Sequence, residues 1–209
     1  MTIVLLILVA VALVGVFVWL AYNTMVSRRN AVDNSWSQID VELRRRHDLI
    51  PALVEAVRGY AGHEQATFQR VTEARGDAIA AHGPPTRAAA EGALSAVLGR
   101  LLVIAEAYPQ LEASDNFASL QSDLSETEDR IAIARRVYND TVQTYNTLIQ
   151  IFPPVLVARA FGFTAREFFD APGEAAVAPE VRYSAVAQAQ DGGTSPDGES
   201  VAAPGGTTS

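Results

Sequence analysis

The sequence predicts an all-α protein in which an N-terminal transmembrane helix precedes an antiparallel up-and-down four-helix bundle of long helices. Three observations lead to this fold class. Residues 3–22 form an uncharged apolar run, apolar side chains recur with helical spacing after it, and the alternation typical of strands is absent. We expect a transmembrane anchor over residues 1–23, the bundle over 24–170, an extended segment over 171–183 and a disordered tail over 184–209.

The apolar run has the length that a membrane anchor needs. Its residues can cross about 30 Å of hydrocarbon at about 1.5 Å per residue. A cleaved signal peptide is disfavoured, because no basic segment precedes the run, the run is longer than usual for a signal, and no Ala-x-Ala site follows. Trp19 and Tyr22 near its end suit the headgroup zone. We therefore expect a single-pass protein of the cell membrane.

Arginines on one flank of the anchor predict its orientation. Arg28 and Arg29 follow the span, and no basic side chain precedes it. The positive-inside rule then places the bundle in the cytoplasm. Arg44 lies about 24 Å beyond Arg28 at the helical rise, whereas charges are screened over about 8 Å at physiological ionic strength. Arg28 and Arg29 are therefore the candidate lipid contacts.

The first bundle helix is predicted to continue from the anchor. Gly83, followed by Pro84 and Pro85, ends it, because glycine tolerates the left-handed cap and proline cannot continue the hydrogen-bond ladder. Pro51 fits either a kink in this helix or the first turn of a new helix capped by Asp48. The predicted buried stripe consists of Val32, Trp36, Ile39, Leu43, Ile50, Leu53, Val57, Ala61, Phe68, Val71 and Ala78.

Two further long helices follow. The second is capped by Thr86 and ends at Tyr108, and its stripe consists of Ala90, Leu94, Val97, Leu98, Leu101, Leu102 and Ala105. A loop with Ser114, Asp115 and Asn116 opens the third, which is closed by Pro153 and Pro154. Its stripe consists of Phe117, Leu120, Leu124, Ile131, Ala134, Tyr138, Val142, Tyr145, Leu148 and Phe152.

A short helix is predicted after the third, from Val155 to Phe161. Gly162 ends it, since glycine readily takes the left-handed conformation at a helix C-terminus. Thr164 and Glu167 then have the spacing of a capping box, which is typical of a helix start.

Composition excludes several classes of function. The chain has 209 residues without cysteine, and all 16 basic residues are arginine. Disulfides, thiol nucleophiles, Cys-ligated zinc and Schiff-base lysines are thereby excluded. The net charge is -8 and no broad basic face occurs, so nucleic acid is not an expected partner.

Charged side chains concentrate in the stretch VELRRRHDLIPALV of the first bundle helix. Arg46 shares the phase of Leu43 and Ile50, whereas Arg44 and Arg45 rotate about 200° and 100° away from it. We expect Arg46 to be buried and paired with a carboxylate, because an unpaired buried charge costs several kcal/mol.

Candidate partners of this cluster lie in the stretch SDLSETEDRIAIARR of the third helix. Asp123, Glu126, Glu128 and Asp129 are all possible partners, and sequence leaves the choice open. The charges are interpreted either as interhelical ion pairs and solvated faces, or as a docking surface for a partner. The residues of this candidate polar network or interaction surface are Arg44, Arg45, Arg46, His47, Asp48, Glu128 and Asp129.

Catalytic motifs are not found. His63-Glu64 lacks the second histidine of a zincin, and neither a Glu-x-x-His pair, a phosphate loop nor a nucleophile elbow occurs. His47 and Asp48 are adjacent, so they do not share a helical face as a base and its orienting acid would. We expect no enzyme activity, no cofactor and no metal.

Several motifs occur in one order along the chain and carry a family resemblance. They are Trp36-Ser37-Gln38-Ile39-Asp40, Arg45-Arg46-His47-Asp48-Leu49-Ile50-Pro51, Asn116-Phe117, Glu128-Asp129-Arg130-Ile131-Ala132, Tyr145-Asn146 and the later FGFTAREFF. On these motifs the chain resembles the LemA family of bacterial proteins over about residues 20–183. The resemblance implies a membrane anchor and an antiparallel helical bundle, without an established activity. The Gly/Ser-rich tail departs from the family's shorter C-terminus.

Two classes of function are expected. LemA proteins are often encoded near membrane-linked proteases, so the resemblance favours a scaffold for a membrane or envelope-associated protein partner, such as a protease. The alternative is an envelope or lipid-associated structural protein that forms a homo-oligomer, with heptad-spaced Tyr138 and Tyr145 as a contact. Those tyrosines also fit an ordinary bundle core. An enzyme with an unrecognised site is a third class, disfavoured by composition.

Overall fold

A computed structural model describes residues 1–170, and every regular element within them is a helix. The all-α prediction is therefore confirmed. The extended segment expected over 171–183 and the tail expected over 184–209 lie outside the described residues. The helices are α1 (Thr2–Arg58), α2 (Gln65–Ala80), α3 (Pro84–Glu106), α4 (Pro109–Glu112), α5 (Asp115–Gln150) and α6 (Pro154–Ala160).

Helix α1 combines the anchor and the first bundle helix in one continuous element of 57 residues. No residue before Met25 is buried, so the apolar run projects beyond the bundle as a candidate transmembrane span. Helix α3 is also long and apolar enough to cross a membrane by length and composition. It buries side chains on one face, from Ala88 to Ala105, in the bundle core, which accounts for its apolar composition.

The long helices α1 and α5 lie antiparallel and make the principal helix–helix contact of the bundle. Trp36 of α1 contacts Tyr138 of α5, with 5.4 Å between ring centroids. Ten residues further along α1, Arg46 reaches Glu128, which is ten residues earlier in α5. The two helices therefore run in opposite directions.

Helices α2 and α3 complete the up-and-down order. Helix α2 returns along α1, because Arg58 lies over the ring of Phe68 while Arg75 reaches the carbonyl of His47. Helix α3 runs in the direction of α1, because Asp40 of α1 pairs with Arg87 at 2.8 Å and Arg46, further along α1, pairs with Glu91, further along α3. The short helix α4 adds one turn before α5.

The largest differences from the predicted helix boundaries lie around Pro51 and around Thr86. Helix α1 continues through Pro51 and ends at Arg58, so Pro51 does not begin a new helix and Asp48 is not its cap. The chain turns between Gly59 and Glu64 instead. Helix α3 starts at Pro84, directly after Gly83 with its positive φ of 81°. Thr86 therefore lies within α3, because proline at the first helical position already starts the helix.

The bundle core is divided into two apolar clusters. The cluster away from the anchor begins on α1 at Ile50 and ends on α5 at Leu124. The cluster near the anchor includes Leu43 on α1 and begins on α5 at Ile131. The buried polar residues Arg46 and His47 occupy the gap between the two clusters.

Residues 163–170 form an extended strap along α5. Gly162, with a positive φ of 71°, follows α6 and redirects the chain, as predicted. The capping box predicted at Thr164 and Glu167 is wrong, because no helix starts there. The Asn146 side chain instead pairs with both the N–H and the carbonyl of Arg166, at 2.9 Å each. An asparagine amide offers the same donor and acceptor as a peptide, so it holds the strap extended.

Candidate functional site

Arg46 is the centre of a buried ion-pair network between α1, α3 and α5. Its side chain is one of the largest fully buried in the described chain, with 1% of its surface exposed. Its Nη2 pairs with Oε2 of Glu91, and its Nη1 donates to Glu128 Oε1 at 2.6 Å and to Ser95 Oγ at 2.9 Å. The position fits the phase of Arg46 in the apolar stripe, and both carboxylates compensate its charge.

His47 extends the network and is itself buried. Its Nε2 lies 2.9 Å from Oε1 of Glu91, and because an ionised carboxylate only accepts, His47 donates this bond. The backbone carbonyl of His47 cannot bond to position 51, since Pro51 has no N–H. Arg75 of α2 supplies the missing donor from Nε at 2.7 Å. This contact lets α1 pass through a proline without leaving a buried carbonyl unpaired.

Glu91 stays ionised inside the bundle. Burial alone would raise its pKa, but the hydrogen bond from His47 and the charge of Arg46 outweigh burial and lower the pKa below its usual value. The network therefore contains an ionised, buried carboxylate that is held by donors from Arg46 and His47.

The other predicted residues lie outside the buried network. Arg44 is 72% exposed and pairs with Asp40 one turn earlier on α1. Arg45, Asp48 and Asp129 are exposed. Arg45 acts only at a distance on Glu126, whose pKa is lowered mainly by the hydrogen bond and charge of Arg130. Of the predicted set, the structure thus brings together Arg46, His47 and Glu128 and leaves the remaining four at the surface.

Glu91 was missing from the predicted set. It lies in α3, whereas the predicted partners of Arg46 were all in what is now α5. A signal for it exists, because Glu91 is the sole acidic residue between Asp77 and Glu106 and lies three and seven residues before Leu94 and Leu98. A carboxylate in phase with an apolar stripe indicates a buried charge that needs a partner.

The strap buries the tyrosines that could have joined two copies. Tyr138 donates to the carbonyl of Glu167 at 2.8 Å, and Tyr145 donates to that of Thr164 at 3.0 Å. Burial raises the pKa of Tyr138 to about 12. Both rings lie in the core of one chain, so the proposed contact between copies through these tyrosines is wrong.

An exposed apolar groove runs between α1 and α5 beside the buried network. Val41 and Ile133 are 61% and 64% exposed, and Val137 next to them is about half exposed. The groove volume is about 490 Å³. Glu42 and Arg130 approach to 4.0 Å across one end, and Oε2 of Glu42 is buried there without a hydrogen-bond partner among the described residues. The groove thus combines an apolar floor with one acidic and one basic side chain at its end.

The candidate lipid contacts lie near the end of the anchor. Arg28 and Arg29 are both exposed, and the guanidinium of Arg29 lies 5.8 Å from the ring centroid of Phe163. In residues 1–170 no three His, Cys, Asp or Glu side chains are grouped as metal ligands.

The fold and site together define a membrane-associated helical protein with an N-terminal candidate span, a bundle stabilised around a buried arginine and an exposed groove. The model of the LemA family matches residues 35–183, and the chain belongs to this family. Similar proteins include magnetosome protein MamQ 2 of Paramagnetospirillum magneticum, 28% identical over 71% of this chain, and magnetosome protein MamQ of Magnetospirillum gryphiswaldense, 27% identical over 71% of this chain. Protein LemA of Metamycoplasma hominis is 24% identical over 62% of this chain and 60% of its own length. The match spans 64% of the length of each MamQ relative.

Proposed function

We propose that this protein is a non-catalytic, membrane-anchored interaction module whose groove between α1 and α5 binds a helix of a membrane or envelope-associated protein. The observation that carries the proposal is the exposed apolar groove. Apolar side chains on a surface are ordinary when scattered, but Val41, Ile133 and Val137 are contiguous across two helices. An amphipathic helix buries its apolar face in a groove of this kind.

The chemistry of the groove narrows the expected partner. The partner helix supplies apolar side chains for the floor and a polar side chain beside Glu42 and Arg130, which line one end of the groove. The buried network supports the site from within, since Arg46 and Glu128 fix α1 against α5 next to the groove.

The anchor and its flanking charges support a cytoplasmic position for the module. Arg28 and Arg29 follow the span, and the sequence before it contains no basic side chain. The partner is then either a protein of the same membrane or a cytoplasmic protein held at it. A membrane-bound protease would be a partner of this kind, and the similar protein of Paramagnetospirillum magneticum is named for the magnetosome.

Proximity labelling in cells with the full chain tests the proposal. The unchanged protein and a Val41→Asp, Ile133→Asp variant are compared, with Val103→Asp as the control because Val103 is equally exposed on α3 outside the groove. We expect a specific foreign protein that is lost with the groove variant and kept with the control. The same foreign proteins from both variants contradict the groove, and labelling of mainly the chain itself favours the self-associating alternative.

A further inference from the structure

Exposed apolar side chains gather at one corner of the bundle that the groove does not include. The α5–α6 corner comprises residues 151–163, from the end of α5 through α6 to the start of the strap. Phe152, which was predicted to lie in the apolar stripe of the third helix, is instead 77% exposed, because α5 ends at Gln150. Ile151, Leu156 and Phe161 are about half exposed. These four large apolar side chains are exposed within 11 residues of sequence. Such a concentration of exposed apolar side chains indicates an interaction site.

The α5–α6 corner lies level with the end of the candidate span. The ring of Tyr22 is 5.0 Å from that of Phe161 and 5.7 Å from that of Phe163. Val18 and Ala21, which belong to the apolar run, pack against the cluster that contains Val157 and Ala158 of α6. Val18 and Tyr22 are only about 6 Å apart along the helix. When the apolar run crosses the bilayer, α6 must therefore lie at the bilayer surface.

The charges around the corner fit lipid headgroups. From Asp140 to Glu167 the sequence contains no acidic residue between these two, and the one cation of α6 is Arg159. Arg28 and Arg29 add two exposed cations at the same end of the bundle. Arginines beside an apolar surface match the boundary between anionic headgroups and acyl chains, where each is attracted by the negative surface potential.

We propose that the α5–α6 corner is a second membrane contact, which inserts into the headgroup and acyl boundary of the same bilayer that α1 crosses. Phe152 and Leu156 enter the apolar side of this boundary, and Arg159 lies at the phosphates. Two contacts on one membrane fix the tilt of the bundle, whereas a single helix would leave it free to turn. The groove is then held at a set height above the lipid. This inference depends on the span but not on a partner in the groove.

Lipid quenching of single labels tests the corner in the full chain. Because the sequence has no cysteine, Phe152→Cys, Leu156→Cys, Val41→Cys and Val103→Cys each carry one environment-sensitive fluorophore. Each variant is reconstituted in vesicles of phosphatidylcholine with phosphatidylglycerol. Nitroxide-labelled lipid then quenches from the bilayer and iodide quenches from water. All four positions are exposed on the chain, so the substitutions leave the core unchanged.

We expect blue-shifted emission and loss of most fluorescence to nitroxide lipid at positions 152 and 156, with little iodide quenching. Positions 41 and 103 should show the reverse. Equal quenching at all four positions overturns the proposal. Protection from both quenchers at 152 and 156 also overturns the proposal. It would mean that protein covers the corner, and in a purified sample that protein is a second copy of the chain. Circular dichroism of each variant ensures that the folded protein is compared.

Discussion

Arg46→Ala removes the cation that pairs with two carboxylates, the buried Glu91 and the partly exposed Glu128. Breaking a buried ion pair by deleting one partner costs about 3 to 5 kcal/mol, because the remaining charge is stranded. Glu91 is stranded here, while Glu128 is partly exposed and regains water. His47 still donates to Glu91, which reduces the loss, and the arginine stem leaves a cavity, which increases it. We expect the free energy of unfolding to fall by about 2 to 4 kcal/mol.

Urea denaturation followed by circular dichroism measures this loss in the protein without residues 1–23. Arg44→Ala is the matched control, since its side chain is 72% exposed and paired only within α1, and it should cost under about 1 kcal/mol. Changing Arg46 to Met together with Glu91 to Gln should recover part of the stability, because the double change removes the stranded charge and the glutamine carbonyl still accepts the hydrogen bond from His47. Equal losses for Arg46→Ala and Arg44→Ala would refute the buried network.

Three further predictions follow from the same geometry. Removing residues 1–23 should leave a helical, water-soluble protein, and little helix by circular dichroism or a need for detergent would count against it. A phosphatase fused to the C-terminus should be inactive, since a cytoplasmic bundle keeps it inside, and an active fusion would reverse the orientation. The pKa of Glu91 is lower in the folded protein than its usual 4.5, so the ionised side chain stabilises the fold above pH 4.5, and this stabilisation is lost as the pH falls below that value. Glu91→Gln should therefore weaken the pH dependence of the unfolding free energy in denaturant melts. An unchanged pH profile would contradict this prediction.

Local signals predicted the elements whose ends depend on local chemistry. The apolar run and the glycine after α6 appear where the sequence places them, and α5 begins at Asp115, within the segment 114–116 that was predicted as a loop. The burial of Arg46 could be predicted because its position in the 3.6-residue helical repeat matches that of the apolar stripe. Each of these features depends on residues within one or two turns.

Features that depend on distant contacts were not predictable in this way. Pro51 remains inside α1 because Arg75, 24 residues later, bonds the carbonyl that the proline leaves free. The capping box at Thr164 is overridden because Asn146 pairs with the strap. Glu91 is an exception, because its phase with Leu94 was a local signal of a buried charge that the sequence-based prediction missed. For Pro51 and Thr164, a tertiary hydrogen bond decided between two locally acceptable structures.

Site-specific photocrosslinking from the groove tests the central claim most directly. A photoreactive residue replaces Ile133 in the groove or Val103 on α3, in the full chain in its native membrane; the two positions are each 64% exposed. The proposed function predicts a discrete adduct with one foreign protein from position 133, none from position 103, and loss of the adduct when Val41 is changed to Asp. Identical adducts from both positions, or none from position 133, would contradict the claim that this groove is where the protein binds its partner.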